Sequence, residues 1–316
     1  ALWFAAGEPF DLEHWKTPPG FNSGPFEITS LEPASATLGR QFELTNYSGT
    51  SFACSVQRTI NTLDAGEVAE HLAEPPAGVS GVAFESVNEL TNAGDDPWRR
   101  ETGLLSIWIV GQFKPLERGK VIVPLAGAPE EPADGVTTDY FGELPAERCR
   151  IEGDHLLFTC DGKFRSKIGI APRRVRDVLG SYDPDGGVLT VVQFSLPSGA
   201  AKLPYVNSLW EMQDEPYAGD VVNSYNDGPP APGEPPMGPF YEIETSSPAA
   251  ALKPGESVTH THRTVHFAGE FDALNVLAQK ILGVDLSEVS CPRPLAREIR
   301  NPNLEIRNKH EIRMPQ

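Results

Sequence analysis

The sequence predicts an all-β protein, a large antiparallel β-sandwich with one C-terminal helix. Short runs in which apolar and polar residues alternate are typical of half-buried strands. The chain's 30 prolines and 29 glycines indicate many turns and few long helices. A clear helical period occurs only over residues 270–282, with Gly283 placed to end the helix.

The predicted elements follow one another along a single domain. Aromatic-rich runs before residue 30 favour strands over a helix, and a short helix fits within 64–78. Strands are expected at 41–46, 52–63, 82–91, 104–113, 120–125, 155–159, 164–170, 188–194, 205–213, 240–245 and 256–267. We expect one domain over 1–290 and an extended or disordered tail over 291–316, where a short near-repeat cannot build a core.

The composition excludes several classes of partner. Asp plus Glu number 44 against 26 Lys plus Arg, a net charge of −18, whereas general nucleic-acid binding needs a basic surface. The acidic surface of this protein is compatible with a neutral sugar ligand, or with an anionic sugar held by a local cationic patch. No apolar run is long enough to span a membrane.

The cysteines and the N-terminal residues do not identify the cellular compartment of the protein. Cys149 and Cys160 either form a disulfide across a hairpin or remain separate thiols. The first residues include neither an initiator methionine nor a signal peptide, which is typical of a trimmed or processed chain. A periplasmic or secreted protein is slightly favoured over a cytoplasmic one.

Two predicted strands near the C-terminus concentrate the groups that can carry chemistry. On the first, Glu242 and Glu244 share one face because side chains alternate along a strand. The second places His260, His262 and His266 on a single face. We expect the carboxylates and imidazoles to converge in one pocket.

The same stretch resembles the galactose mutarotase-like (aldose epimerase) superfamily, in an uncharacterised bacterial branch. The matching residues are Ile243-Glu244-Thr245, Pro248, Leu252-Lys253-Pro254-Gly255-Glu256 and Val265-His266-Phe267. The resemblance extends more weakly up to about Gly283. It implies a carbohydrate site on the concave face of one sheet, with Glu244 as the base that takes the proton of the anomeric hydroxyl. After a Thr-Asn-x-Gly turn these proteins carry a catalytic histidine, and here residues 105–108 contain none.

The histidines allow three interpretations. His262 or His266 supplies the general acid that ring opening needs, since imidazole titrates in the useful range. Alternatively, His260, His262 and His266 bind a divalent metal together with Glu244 or Glu242, and otherwise no cofactor is predicted. The third interpretation is hydrogen bonding within the sheet or to sugar hydroxyls.

Further residues are candidates for substrate binding. Lys163, Arg165 and Lys167 alternate, so their cations would line one strand face and hold a carboxylate or sulfate, or else form salt bridges with nearby Asp and Glu. Trp210 is placed to stack on a sugar ring or to lie in the core. Asn226 and Asp227 either grip hydroxyl groups or form a turn.

Three functions fit these features. The first is an enzyme acting on a sugar or sugar acid, such as an epimerase-like isomerase with Glu244 as its base. A non-catalytic carbohydrate-binding protein is the second. The third is a metal-dependent enzyme that uses the histidine strand.

Overall fold

Two antiparallel sheets form the body of the protein. A computed structural model describes residues 3–11, 13–127 and 131–290. The strands are β1 (Glu27–Glu32), β2 (Ser35–Thr45), β3 (Ser51–Leu63), β4 (Ser80–Asn92), β5 (Trp108–Phe113), β6 (Lys120–Pro124), β7 (Val136–Thr137), β8 (Cys149–Glu152), β9 (His155–Thr159), β10 (Ser166–Ile170), β11 (Val178–Asp183), β12 (Val188–Phe194), β13 (Val222–Asn226), β14 (Tyr241–Ser246) and β15 (Ser257–Ala268).

The larger sheet has ten strands and the smaller has five. Their orders are β1-β2-β3-β4-β15-β12-β11-β6-β9-β8 and β5-β14-β13-β10-β7. Every pairing between neighbouring strands is antiparallel. The prediction of an all-β antiparallel architecture is therefore confirmed.

The inner faces of the two sheets pack on each other and exclude water. Val121 and Phe158 of the large sheet and Ile168 and Ile243 of the small sheet belong to one buried apolar cluster. A hydrogen bond between Ser181 Oγ and Tyr241 Oη, 2.7 Å long, links the sheets within it. The residues that alternate with this cluster on the small sheet therefore point outward.

In the described part of the chain, four short α-helices and one 3-10 helix (Ala200–Lys202) flank the sheets. The α-helices are α1 (Pro19–Asn22), α2 (Ala65–His71), α3 (Phe271–Ile281) and α4 (Leu286–Ser290). The predicted C-terminal helix is α3, which buries Leu274 and Leu277 and ends before Gly283, whose φ of 72° suits glycine. Within the described part of the chain, every helix is too short or too polar to cross a lipid bilayer.

The structure corrects some predicted details. Residues 205–213 form no strand, because Tyr205 makes only an isolated bridge with Ala218. Cys149 and Cys160 are free thiols, so the disulfide alternative is wrong. The predicted tail over 291–316 lies outside the described residues.

Candidate functional site

A polar face on the outer side of the five-stranded sheet is centred on β14. This strand lies between β5 and β13, with Glu244 opposite Val110 on one side and Asn223 on the other. Ile243 is buried in the core between the sheets, so Glu242 and Glu244 share the outward face as the alternation predicted.

Glu244 is completely buried and only partly satisfied. Its Oε2 atom accepts hydrogen bonds from Lys167 Nζ and Trp108 Nε1, both at 2.8 Å. Its Oε1 atom accepts none from any residue that the structure describes. Because leaving a buried acceptor unpaired costs free energy, this oxygen is suited to a donor brought by a ligand.

Lys167 reaches Glu244 from β10, across the intervening strand β13. Its Nζ atom also lies 5.7 Å from the ring centroid of Trp108 and 5.5 Å from that of Tyr140. The ammonium group thus combines a buried ion pair with two aromatic faces.

Glu242 lies beside Glu244 in the middle of the sheet, not at a solvent-exposed edge. Gln112 Nε2 donates a hydrogen bond of 2.8 Å to its Oε1. Burial, together with the charge of Glu244, raises the pKa of Glu242 to about 7. Both causes favour the protonated form of Glu242.

Three further polar residues extend this face, and sequence reasoning missed them. Tyr140 donates a 2.5 Å hydrogen bond to Asp220 and accepts one of 3.0 Å from Asn223. Burial raises the pKa of both Tyr140 and Asp220. A Cβ atom on Gly169 would lie 2.0 Å from the Asp220 carboxylate, so only glycine lets this pair approach β10.

The three predicted cations do not form one cluster. Lys167 pairs with Glu244, whereas Lys163 is exposed and pairs with Glu117 at 3.2 Å. Arg165 stacks on Phe141, its guanidinium carbon 3.9 Å from the ring centroid. The predicted anion-binding strand is therefore reduced to Lys167 and Arg165.

Trp210 lies in a loop beside this face. Its ring is 5.7 Å from the Arg165 guanidinium and makes edge contacts with Phe4 and Phe141. It is thus near the site, though not on the strand that was predicted to carry it.

Asn226 and Asp227 are fully buried and bind the protein's own groups. Asn226 donates to the Phe164 carbonyl and accepts from the Gly162 N–H. Asp227 accepts from the Tyr225 hydroxyl and from the Gly238 N–H. These contacts give both residues structural roles, and they do not support the predicted binding of sugar hydroxyl groups.

The histidines lie on the opposite side of β14. Thr245 Oγ1 is 2.8 Å from His260 Nε2 and 2.9 Å from His262 Nδ1, between the two sheets. Since Thr245 and Glu244 are adjacent in a strand, their side chains point to opposite faces. The prediction that Glu244 and these histidines converge is therefore wrong.

His266 is also separate. Its Nδ1 lies 2.9 Å from Thr190 Oγ1, and its ring contacts Phe113 in the space between the sheets. His260 and His262 share Thr245 whereas His266 faces Thr190, so the three rings do not surround one point, which disfavours the metal alternative on this strand. Burial lowers the pKa of His260 to about 4 and of His262 to about 3, so both are neutral at physiological pH.

Aromatic residues near the N-terminus cover part of the polar face. Trp3 makes an edge contact with Trp108 at 5.7 Å between ring centroids and stacks on Trp15 at 5.5 Å. Phe4 is buried against Trp210. These rings cover one side of the polar face, and Trp108 itself remains 40% exposed.

The model of a family of unknown function, DUF6786, matches residues 1–291. None of the curated proteins matches the sequence at a significant level.

Two solved structures of the superfamily that the sequence resembles are similar to this chain. One is an Escherichia coli K12 protein provisionally described as an aldose 1-epimerase, with 13% identity, a TM-score of 0.46, and coverage of 78% of this chain and 69% of that one. The other is a galactose mutarotase-like protein from Lactobacillus casei, with 10% identity, a TM-score of 0.46, and coverage of 84% and 82%. Similarity at this level assigns no residue a role.

Proposed function

This chain belongs to the DUF6786 family of unknown function, and we propose that it binds a sugar or sugar acid on the outward face of the five-stranded sheet. The observation that carries the proposal is the buried Glu244 carboxylate, whose Oε1 accepts no hydrogen bond within the described structure. A sugar hydroxyl is a donor of the right kind to satisfy it. Trp108 and Tyr140 add ring faces of the kind on which pyranose rings stack.

Arg165 favours a sugar acid over a neutral sugar. Its guanidinium group rests on Phe141 and hydrogen-bonds Tyr225, and no described carboxylate forms a salt bridge with it. In a protein with a net charge of −18, an arginine that pairs with no carboxylate among the described residues is available to an anionic ligand. A planar guanidinium binds a carboxylate through two parallel hydrogen bonds.

The two outward carboxylates supply the groups that an epimerase-like reaction requires. Glu244 would take the proton of the anomeric hydroxyl as the bond between the anomeric carbon and the ring oxygen breaks. Glu242, in place of the predicted histidines, would donate its proton to that ring oxygen, and closure of the ring reverses both transfers. A pKa near 7 makes Glu242 suited to both directions.

A non-catalytic carbohydrate-binding protein is the second candidate. Glu244 Oε2 is already engaged by Lys167 and Trp108. A carboxylate held in this way could accept a hydroxyl hydrogen bond without removing the proton. Binding without turnover would follow.

Calorimetry and polarimetry on uronic acids and neutral aldoses test both candidates. For the enzyme, we expect faster mutarotation with the wild type and a loss of about 100-fold or more in Glu242→Gln and Glu244→Gln, as for removal of a general acid or base. Glu117→Gln, which changes an exposed carboxylate, is the matched control. Saturable binding with no acceleration by the wild type supports the second candidate, and no binding of any sugar rejects both.

A further inference from the structure

A cluster of two carboxylates and one imidazole lies at the edge of the ten-stranded sheet that is formed by β8. Glu152 and His155 face each other directly across the hairpin turn between β8 and β9. Glu288 comes from α4, which packs beside this hairpin. We infer that Glu152, His155 and Glu288 form a binding site for a divalent transition metal such as Zn²⁺. This site is on a different sheet from the polar face around Glu244.

The ligand atoms are already grouped at nearly the required spacing. One atom from each of the three residues lies within 4.8 Å of the other two. His155 Nε2 and Glu288 Oε2 are 3.8 Å apart. Zn²⁺ holds nitrogen and oxygen ligands at about 2.0–2.2 Å, which places neighbouring ligands roughly 3.3 Å apart in a tetrahedron. Small side-chain movements are therefore sufficient.

His155 gives an independent indication of a missing ligand. The residue is only 7% exposed, and its Nε2 has no hydrogen-bond partner in the described part of the chain. Its Nδ1 lies 3.4 Å from Asp154 Oδ1. If Nδ1–H faces this carboxylate, the lone pair of Nε2 is directed at the cluster. A carboxylate behind the imidazole is the usual support of a metal-binding histidine.

The local charge also calls for a cation. Glu152, Asp154 and Glu288 place three carboxylates around His155, and Arg150 Nε lies 3.2 Å from Glu152 Oε1. A divalent cation is attracted to such a concentration of carboxylates. Arg150 also donates to the backbone carbonyl of Glu288 at 2.7 Å and so fixes α4 near the hairpin.

The donor set indicates the class of metal. One imidazole and two carboxylates suit Zn²⁺ or a similar transition metal, whereas Mg²⁺ and Ca²⁺ prefer oxygen ligands alone. Three protein ligands leave a fourth position for water. Because the ligands come from a sheet edge and from α4, binding would join the helix to the sheet and stabilise the fold.

Zn²⁺ titration of the metal-free full chain, followed by calorimetry and thermal unfolding, tests this site. We expect one Zn²⁺ per chain and a higher Tm, with affinity at least tenfold lower in His155→Gln and Glu288→Gln. Glu288 is largely exposed, so its variant should fold even if the buried His155→Gln does not. His71→Gln, at an exposed histidine, and His262→Gln, on the histidine strand, should bind like the wild type. Absence of binding, or binding lost in His262→Gln and kept in Glu288→Gln, overturns the assignment.

Discussion

The two faces of β14 differ although their residues are neighbours in the chain. The outward face carries Glu242 and Glu244, with a buried ion pair to Lys167 and a Glu244 oxygen that accepts no hydrogen bond from the described residues. The inward face carries Thr245, whose hydroxyl joins two neutral histidines between the sheets. A step of one residue thus separates a face suited to a ligand from one that holds the sheets together. Candidate residues on strands must therefore be sorted by face before they are given a common role.

Burial favours the neutral form on both faces but with opposite consequences. It raises the pKa of Glu242 and lowers those of His260 and His262. On the outward face the neutral form is a proton donor. On the inward face it is an imidazole that shares hydrogen bonds with Thr245.

The largest expected effect is that of Lys167→Met, which leaves the buried Glu244 carboxylate without its cation. Removing one partner of a buried ion pair costs about 3–5 kcal/mol, measurable by urea unfolding at pH 7. Lys163→Met removes an exposed cation as the control and should change stability by less than about 0.5 kcal/mol. Equal effects of the two substitutions would contradict the importance of the buried pair.

The next effect is the loss of stability in acid. His260 and His262 have folded-state pKa values of about 4 and 3, below the ordinary 6.5, so the folded state binds fewer protons than the unfolded state. Their contribution is present above pH 6.5 and is lost as pH falls toward 4, by on the order of 3 kcal/mol for each histidine. Urea unfolding across this range should show that the free energy of unfolding falls less steeply with pH in His262→Gln than in the wild type. His71→Gln should show the same fall as the wild type. An identical slope in wild type and His262→Gln would refute the inward assignment.

Thr245→Val should have a smaller effect. The substitution keeps the branched shape but removes the hydroxyl shared by His260 and His262, at an expected cost of about 2 kcal/mol. Thr259→Val, at an exposed position of β15, is the control and should be nearly neutral. Chemical denaturation at pH 7 measures both, and indistinguishable midpoints would show that the shared hydroxyl contributes little.

The last expected effect is a gain of stability in Glu242→Gln at high pH. Because the folded-state pKa of about 7 exceeds the ordinary 4.5, the contribution of Glu242 is fully present below pH 4.5 and is lost as pH rises through 7. At pH 8 the variant should exceed the wild type by up to about 3 kcal/mol, because glutamine needs no proton. The difference should disappear below pH 4.5. Glu117→Gln should show no such trend.

Much of the fold could be predicted because alternation and turns are local signals. They identified β14, β15 and most central strands, and they placed Glu242 with Glu244 and the three histidines together. They could not show that the turn-rich loop after Ser246 carries the chain from the five-stranded sheet into the ten-stranded one. Period-two alternation does not tell which faces of two strands meet when the strands belong to different sheets.

The rest of the site depends on contacts between distant parts of the chain. Lys167 was identified as a cation, but its partner Glu244 is 77 residues away. Trp108 lies in an apolar run typical of a buried strand, so nothing in the sequence indicated that its indole N–H donates to Glu244. Tyr140 and Asp220 carry no local motif, and they meet only because Gly169 leaves room on the strand between them.

The unpaired oxygen of Glu244 has a consequence for selectivity. A ligand whose hydroxyl group reaches Oε1 donates the hydrogen bond that this oxygen lacks among the described residues. A deoxy analogue of the same shape supplies no donor and leaves the buried oxygen without a hydrogen bond. Sites of this kind discriminate against the missing hydroxyl far more strongly than an apolar pocket discriminates between two hydrocarbon groups. A series of singly deoxygenated sugars would therefore locate the position at which this protein senses its ligand.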